Sequence, residues 1–193
     1  MTDKAELRRQ LRRRRMAVPK RLRRLAAYKV ARRAAPLLRR GQKLAAYMAV
    51  GSELSLQPLI TLAQARGAEV YLPLVPRRGR RLRFAALADP AGHWRRNRYG
   101  IREYRSRHTL PARAMQLVLL PLVGFDAAGG RLGQGGGYYD SSFAFRRPGV
   151  HRPRLIGAAY ACQRVEKIVR EPHDVVLDAV YTESAVYRRG RRV

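Results

Sequence analysis

Acidic residues and cysteine are the two scarce components of this chain. It has 13 Asp and Glu against 42 Lys and Arg, and its single cysteine is Cys162. One cysteine cannot form an internal disulfide, which excludes a disulfide-stapled secreted domain. No apolar run approaches the ~18 residues of a membrane span, and the N-terminus lacks the apolar segment of a signal peptide. We therefore expect a cytoplasmic protein with no membrane partner.

Positive charge dominates what is present. The formal net charge is +29, and all but five of the basic residues are arginine. Such a surface attracts polyanions. The arginines are spread along the whole chain, which favours the interpretation that arginine is simply the common surface residue of this protein. Nucleic acid would then bind only through nonspecific electrostatic attraction. The four histidines show no metal-ligand spacing.

The order of patterns along the chain predicts one α/β domain. Two amphipathic helices are expected first, one capped by Asp3 and one starting at Pro19. Next comes a strand over 44–50, a helix over 56–67 and a strand over 69–75, which is the rhythm of parallel strands joined by a crossover helix. The segment 88–113 lacks a clear period and is predicted to be a surface loop. Further strands are predicted over 82–87, 117–123, 154–160 and 178–184.

A glycine-rich loop, RLGQGGGYYD, occupies residues 131–140 directly after the most apolar strand. In open α/β sheets, ligands bind beyond the carboxyl ends of the strands. Glycines let backbone N–H groups approach an anion closely, and Arg131 and Asp140 are suited to charge neutralisation and magnesium binding. The loop matches neither the Walker A motif nor G-x-G-x-x-G. These residues alone indicate a possible nucleotide loop, with a flexible connector as the alternative.

The longer stretch PLVGFDAAGGRLGQGGGYYD resembles the signature of the 5-formyltetrahydrofolate cyclo-ligases, also called methenyltetrahydrofolate synthetases. The resemblance extends to Lys4 and Arg8, to Glu53, to the Gly-Ile-x-Glu segment at 100–103 and to the His-Asp segment ending at Asp174. Two positions depart from the usual family pattern. Tyr104 stands where the family usually has proline, and Leu122 where it often has glycine.

The resemblance implies a fold and an activity. The expected fold is a single three-layer α/β/α domain over 1–187, with a mainly parallel, Rossmann-like sheet, an N-terminal helical segment and a basic tail over 188–193. The expected enzyme is a monomer that uses ATP and Mg²⁺ to convert 5-formyltetrahydrofolate to 5,10-methenyltetrahydrofolate, releasing ADP and phosphate. Phosphorylation of the formyl oxygen would activate the carbon, and N10 would then close the ring.

The resemblance also implies site residues, each with a plainer alternative. Lys4 and Arg8 share a helix face, but such a pair arises by chance in so basic a segment. Glu53 would bind the pterin or merely favour a helix start, and Asp174 would bind metal or form a turn. Arginines at 95–107 are candidates for the folate's anionic glutamyl tail. The expected set is Lys4, Arg8, Arg131, Leu132, Gly133, Gln134, Gly135, Gly136, Gly137, Tyr138 and Tyr139 for ATP, with Arg131 catalytic; Met48, Glu53 and Tyr139 for substrate; and Asp140 and Asp174 for metal.

Two other functions stay open at this point. A basic RNA-associated protein that keeps the fold without the activity fits the charge, although no RNP-type aromatic motif or zinc knuckle is present. Another ATP-using or phosphate-binding enzyme on the same scaffold fits the glycine-rich loop.

Overall fold

The computed structural model describes residues 3–146 and 153–188, and the backbone of 191–192. It opens with two helices, α1 (Lys4–Ala17) and α2 (Lys20–Ala34). The Asp3 side chain caps α1 by accepting a hydrogen bond from the Ala5 N–H at 3.2 Å. Pro19 stands immediately before α2, where its missing N–H costs no hydrogen bond. Both predicted helices are confirmed.

Thirteen strands and two further α-helices follow in the described part of the chain. The helices are α3 (Gln57–Ala65) and α4 (Tyr138–Phe143). The strands are β1 (Lys43–Ala45), β2 (Glu69–Leu74), β3 (Arg83–Ala86), β4 (His93–Arg96), β5 (Arg102–Arg105), β6 (Thr109–Pro111), β7 (Leu117–Pro121), β8 (Gly124–Phe125), β9 (Arg131–Leu132), β10 (Arg154–Ala158), β11 (Ala179–Tyr181), β12 (Val186–Arg188) and β13 (Arg191–Arg192).

Nine of these strands form one sheet in the order β13-β12-β11-β10-β7-β1-β2-β3-β6. The five central strands, from β11 to β2, pair in parallel. The outer strands on both sides pair antiparallel. The mainly parallel α/β fold predicted from the sequence is therefore confirmed.

The sheet is covered on both faces. One face carries Leu44, Leu117 and Ile156 and packs under α2 and α3. The other carries Ala45 and Val118 and packs against α4 and the loops around it. Successive residues of one strand point to opposite faces, so a continuous apolar run such as LVLLP in β7 is buried on both sides.

The prediction of a loop over 88–113 was wrong. This segment contains β4, β5 and β6, and β4 and β5 form a separate two-stranded hairpin. Every residue of β4 is exposed, so its sequence lacks the alternation of apolar and polar residues from which a strand is predicted. Tyr104, which stands where the family usually has proline, lies in β5. It is buried there, and its hydroxyl donates to the Asp89 carbonyl at 2.7 Å.

Two boundary predictions also change. The strand predicted over 44–50 ends at Ala45, so Met48 lies in the following loop, partly buried against the core. In the predicted basic tail, Arg188 ends β12 and residues 191–192 pair with it as β13, while 189, 190 and 193 lie outside the described residues. No described helix is long and apolar enough to cross a membrane.

Candidate active site

The candidate site lies where the sheet reverses its direction of winding. The chain goes from β1 to β2 on one side and later returns to place β7 on the other side of β1. The segments that leave the carboxyl ends of β1 and β7 therefore run side by side, which is the usual ligand position in such sheets. These segments are 46–56, which contains Glu53, and 122–137, which contains the glycines.

A turn built on Asp126 leads into the glycine-rich loop. Its Oδ1 accepts hydrogen bonds from the N–H groups of Ala128 at 2.9 Å and Gly130 at 2.8 Å, and its Oδ2 accepts from the Ile168 N–H at 2.9 Å. A Cβ at Gly130 would lie 2.5 Å from Oδ2, so only glycine fits there. Asp126 is buried and fully used in holding this turn, which returns the chain through β9.

The loop itself, residues 133–137, is open on its outer side. Residues 134–136 are exposed, and a side chain at Gly133 would meet no atom within 4 Å. Gly135 and Gly137 have φ of 97° and 65°, values that favour glycine strongly. Leu132 points away, into a small core with Leu11 and Ile168, so it can reach a ligand only through its backbone.

Helix α1 lies along one side of the loop and presents a row of cations to it. Arg8 Nε donates to the Gly133 carbonyl at 2.9 Å. Arg12 Nη2 donates to Gln134 Oε1 at 2.6 Å. One turn further, the buried Arg15 donates from Nε to Ser52 Oγ at 3.0 Å and from Nη1 to the Leu122 carbonyl at 3.3 Å. Leu11, packed in the small core with Leu132, fixes the helix in this position.

Glu53 connects the β1 side of the site to the glycine loop. Its Oε2 accepts a hydrogen bond from the Val50 N–H at 3.0 Å, which closes a turn after β1. Its Oε1 lies 3.4 Å from Gln134 Nε2 and 4.0 Å from Arg15 Nη1. The side chain is 10% exposed. Glu53 precedes the N-terminus of α3 by several residues, so its alternative interpretation as a helix-start charge is not supported by the geometry.

Arg131 and Asp140 pair with each other across the base of the loop. Arg131 donates from Nη2 to Asp140 Oδ1 and from Nη1 to the Val175 carbonyl, and its side chain is only 6% exposed. Asp140 Oδ1 also accepts from the Val175 N–H at 3.0 Å. The geometry thus favours a positioning role for Arg131, in place of the predicted direct contact with a phosphoryl group.

Asp174 lies next to Val175 and faces the start of α1. Its Oδ2 accepts from the Glu171 N–H at 2.7 Å and lies 3.6 Å from Lys4 Nζ. Lys4 also donates to Glu171 Oε1 at 2.6 Å, and this hydrogen bond is the main cause that raises the pKa of Lys4. The predicted residues Lys4 and Asp174 are therefore brought together, in a cluster at one end of the loop.

Tyr138 and Tyr139 differ in environment. The Tyr139 ring stacks on Phe143 at 6.3 Å between centroids, and burial, followed by the charge of Glu53, raises its pKa. The Tyr138 hydroxyl faces outward, 2.7 Å from the Tyr99 hydroxyl and within 3.0 Å of Arg98 Nη2. The hydrogen bond with Tyr99 is the main cause that lowers the pKa of Tyr138, and the hydrogen bond with Arg98 is the second.

The second side of the loop is formed by the β4–β5 hairpin and the β2–β3 connection. Arg98 and Tyr99 lie at the hairpin tip and contact Tyr138. A Cβ at Gly137 would lie 3.3 Å from Arg80 Nη1, so this guanidinium also borders the loop. Part of the 95–107 arginine group therefore lies beside the proposed phosphate loop.

Sequence reasoning missed Arg12, Arg15, Arg80 and Tyr99, and it named Arg98 only as one of the 95–107 arginines that were candidates for the glutamyl tail. Arg12 and Arg15 continue the Lys4 and Arg8 row at helical spacing, so the period of α1 was a usable signal. The other three lie far from the loop in sequence, and only the fold brings them to it. Leu122, which stands where the family often has glycine, is buried, and its carbonyl accepts hydrogen bonds from Arg15 and Gln163.

The carboxylates fit a metal shared with a ligand better than a protein-only metal cage. Within residues 3–146 and 153–188, no group of three or more His, Cys, Asp or Glu side chains is placed to hold a metal by itself. Magnesium in phosphate-transfer sites is commonly held by one or two carboxylates together with phosphate oxygens and water. Asp140 accepts from the N–H of Val175, the residue that follows Asp174, so the two carboxylates belong to neighbouring segments.

Comparison with protein families gives one model that spans almost the whole chain. Residues 1–183 match the model of the 5-formyltetrahydrofolate cyclo-ligase family. A 5-formyltetrahydrofolate cyclo-ligase of Escherichia coli strain K12 is 35% identical over 147 residues, which cover 75% of this chain and 79% of that protein. The cyclo-ligase of Haemophilus influenzae is 31% identical over 141 residues, 72% of this chain and 74% of that protein.

Solved structures agree on the fold. The NMR structure of an Aquifex aeolicus 5,10-methenyltetrahydrofolate synthetase superposes with a TM-score of 0.79 at 28% identity, covering 97% of this chain and 93% of the other. A Mycoplasma pneumoniae 5,10-methenyltetrahydrofolate synthetase gives a TM-score of 0.75 at 22% identity, covering 94% and 99% of the two chains. At that identity the second likeness speaks for the fold alone.

Proposed function

The chain belongs to the 5-formyltetrahydrofolate cyclo-ligase family, and we propose that it catalyses the ATP- and Mg²⁺-dependent conversion of 5-formyltetrahydrofolate to 5,10-methenyltetrahydrofolate. It is thus a ligase of folate one-carbon metabolism. The observation that carries the proposal is the open glycine loop at the switch point of the sheet, bordered by Glu53 on one side and by arginines from two other elements.

The proposed reaction balances without a covalent enzyme intermediate. The formyl oxygen attacks the γ-phosphorus of ATP, and ADP leaves. N10 of the folate then attacks the activated carbon, its proton passes to the departing phosphate, and the C–O bond breaks to release phosphate as the ring closes. The protein must supply positioning and charge neutralisation, which dominate phosphoryl transfer. Glycines and cations around an open loop are suited to that task.

The polyphosphate is proposed to lie along residues 133–137. The backbone there is exposed, and Gly135 and Gly137 adopt positive φ that a bulkier residue would resist. The loop has no charged residue between Leu132 and Tyr138, so its neutralising charge must come from elsewhere. Arg8 and Arg12 supply it from α1, where they bond to the loop. Lys4 stands further along the same helix face.

Magnesium is proposed to bind beside Asp140, with Asp174 as a second candidate ligand. When bound, it would neutralise phosphate charge and orient the phosphate oxygens. Arg131 holds Asp140 in place from a buried position and anchors it to the 175 segment. We therefore assign Arg131 a positioning role, so its loss acts through the carboxylate that it orients.

The pterin is proposed to face Glu53. A carboxylate accepts hydrogen bonds from the N–H groups of a pterin, and Glu53 is held at the mouth of the loop by the Val50 N–H. Tyr139 lies close enough to Glu53 for its pKa to respond to that charge. Met48, in the loop after β1, supplies an apolar contact for the ring.

The test is a direct assay with ATP, Mg²⁺ and 5-formyltetrahydrofolate, following the absorbance of the more conjugated methenyl product. The isosteric change Asp140→Asn and the change Arg131→Ala should each lower kcat/KM by about 100-fold or more, because the first removes the proposed metal-binding charge and the second removes the group that holds Asp140 in place. Arg113→Ala, an exposed arginine on the short helix before β7, is the matched control. Circular dichroism checks that the variants fold.

Two results would contradict the proposal. If the pure wild-type protein forms no methenyl product but binds RNA tightly in a salt-sensitive way, the cyclo-ligase activity is wrong for this chain. If Asp140→Asn turns over at a near-normal rate, the phosphate and metal site has been placed wrongly.

A further inference from the structure

A cavity of about 460 Å³ lies at the amino ends of the parallel strands. Its lining includes Gln42 and Gln116, immediately before β1 and β7, Arg154, which begins β10, and Asp178, immediately before β11. These four strands are neighbours in the sheet. The glycine loop follows their opposite, carboxyl ends, so the length of β7, roughly 15 Å for five residues, separates it from the cavity. The cavity is therefore not part of the candidate active site.

Three arginines line this cavity. Arg39 and Arg40 come from the segment between α2 and β1, whereas Arg154 comes from β10, so the fold brings them to one place. All three are exposed. The stem of Arg40 rests against Gly67, since a Cβ there would lie 3.1 Å from Arg40 Cγ. In the described part of the chain, none of the three guanidinium groups has a hydrogen bond or an ion pair with a protein group.

Two glutamine amides add hydrogen-bond donors to the same lining. Gln42 Oε1 accepts a hydrogen bond from the Arg39 N–H at 3.1 Å, and Gln116 Oε1 accepts one from the Lys43 N–H at 2.8 Å. These bonds occupy the oxygen of each amide and fix its orientation. Over residues 3–146 and 153–188, neither amide NH₂ group has a protein acceptor. Each amide therefore has two N–H donors left for a ligand.

The carboxylate of the cavity lining is already engaged by protein donors. Asp178 accepts hydrogen bonds from Arg146 through both oxygens, at 3.0 and 3.1 Å, and its Oδ2 also accepts from the Leu155 N–H at 2.7 Å. It therefore leaves the three lining arginines without a balancing charge. Like charges gathered in a cavity repel one another, and a bound anion removes that repulsion.

We propose that this cavity binds a small compound with two linked phosphate groups, either a free diphosphate or the diphosphate of a nucleotide. Three guanidinium and two amide groups offer many more N–H donors than one carboxylate can accept. A diphosphate supplies several times as many acceptor oxygens, and arginine binds phosphate through paired hydrogen bonds. The volume lies within the range of about 300–1,000 Å³ typical of small-molecule pockets, which favours a small ligand over a nucleic-acid strand. The site is separate from the reaction proposed above and does not depend on it.

Isothermal titration calorimetry with pyrophosphate tests this site. The starting protein is Arg8→Gln/Arg12→Gln, which lacks the two arginines bonded to the glycine loop. The buffer contains no Mg²⁺ and has about 0.15 M salt, which screens nonspecific attraction. This variant should still bind pyrophosphate. Adding Arg39→Gln/Arg154→Gln, both at exposed positions, should raise the Kd about tenfold or more, because two charge-assisted contacts are lost.

The matched control adds Arg13→Gln/Arg21→Gln to the same starting protein. These are exposed arginines of α1 and α2 that do not line the cavity. The Kd should change by less than about twofold. Equal effects of the two added pairs would show general attraction by a basic surface, and the proposal would fall. It would also fall if the starting protein bound no pyrophosphate.

Two further probes identify the source of the diphosphate. In the same titration, a lower Kd for ADP than for pyrophosphate assigns the site to a nucleotide, and a higher Kd assigns it to a free diphosphate. Both results uphold the site. A single-stranded RNA that binds more tightly than either compound, and that loses affinity in the same way with Arg39→Gln/Arg154→Gln, would show that these arginines serve a nucleic-acid backbone. That result would overturn the assignment to a small ligand.

Discussion

The glycine loop is flanked by two basic surfaces that differ in how their cations are used. On the α1 side, Arg8 and Arg15 bond to backbone carbonyls of the loop and its approach. On the hairpin side, Arg80 has no bonded carboxylate within the described residues, and Arg98 donates to the Arg77 carbonyl and the Tyr138 hydroxyl and lies over the Tyr99 ring at 5.0 Å. The cations of the first surface are therefore hydrogen-bonded to the loop and its approach, whereas those of the second lie beside the loop without bonding to its backbone.

The difference follows from how each element packs. Helix α1 buries Leu11 against Val123 and Leu132, so its position is fixed and its cations must satisfy protein groups. The hairpin strand β4 is exposed along its length, and in the described part of the chain it pairs with β5 alone. Arginines thus hold the loop in place on the α1 side, whereas on the hairpin side they border it without fixing its backbone.

The strongest test of the comparison is Arg15→Ala on the α1 side. Arg15 is buried, and its loss removes the donor to Ser52 Oγ, one of the two donors to the Leu122 carbonyl and the cation nearest to Glu53 Oε1. We expect the free energy of unfolding to fall by about 2–4 kcal/mol. For a chain of this length, that fall corresponds to roughly 5–15 °C in Tm. Urea and thermal unfolding measure both.

The control is Arg13→Ala, an exposed arginine on the same helix. Its effect on the free energy of unfolding should stay within about 0.5 kcal/mol. Equal effects of the two changes would show that burial of Arg15 contributes no stability, and the distinction between the two surfaces would be lost.

A second test removes the two cations that border the loop on the hairpin side, with Arg80→Gln/Arg98→Gln. If these groups neutralise the polyphosphate, the KM for ATP should rise about tenfold and respond less to salt. The free energy of unfolding should change by no more than about 0.5 kcal/mol. Arg78→Gln, in the same β2–β3 connection, is the exposed control. A loss of stability without a change in KM would reverse the roles assigned to the two sides.

The smallest expected effect is that of Tyr138→Phe. The change removes the hydroxyl that accepts a hydrogen bond from Arg98 and shares one with the Tyr99 hydroxyl, while keeping the ring. Because Arg98 retains its bond to the Arg77 carbonyl, we expect the KM for ATP to rise only about twofold, as for the loss of one exposed hydrogen bond. Initial rates over a range of ATP concentrations measure it. A tenfold rise would mean that the hairpin depends on this one contact.

Local patterns predicted most of the central fold. The apolar run of β7 and the repeated strand-helix-strand rhythm both gave the correct element type, because burial on two faces requires continuous apolar residues. The β4–β5 hairpin was missed, since an exposed arginine-rich strand has no apolar period. Within the site, the loop was found from its glycines, and Lys4 and Arg8 were found only through the family resemblance.

By itself, the sequence determined the parallel α/β core, the two N-terminal helices and the glycine loop, because each depends on residues close together in the chain. The tertiary structure decided which cations serve the loop. Arg15 and Leu122 are 107 residues apart in sequence and joined by a hydrogen bond, while Arg98 and Tyr138 are 40 apart. Among 42 basic residues of similar local pattern, only packing can bury one arginine as a structural donor and leave another exposed for a ligand.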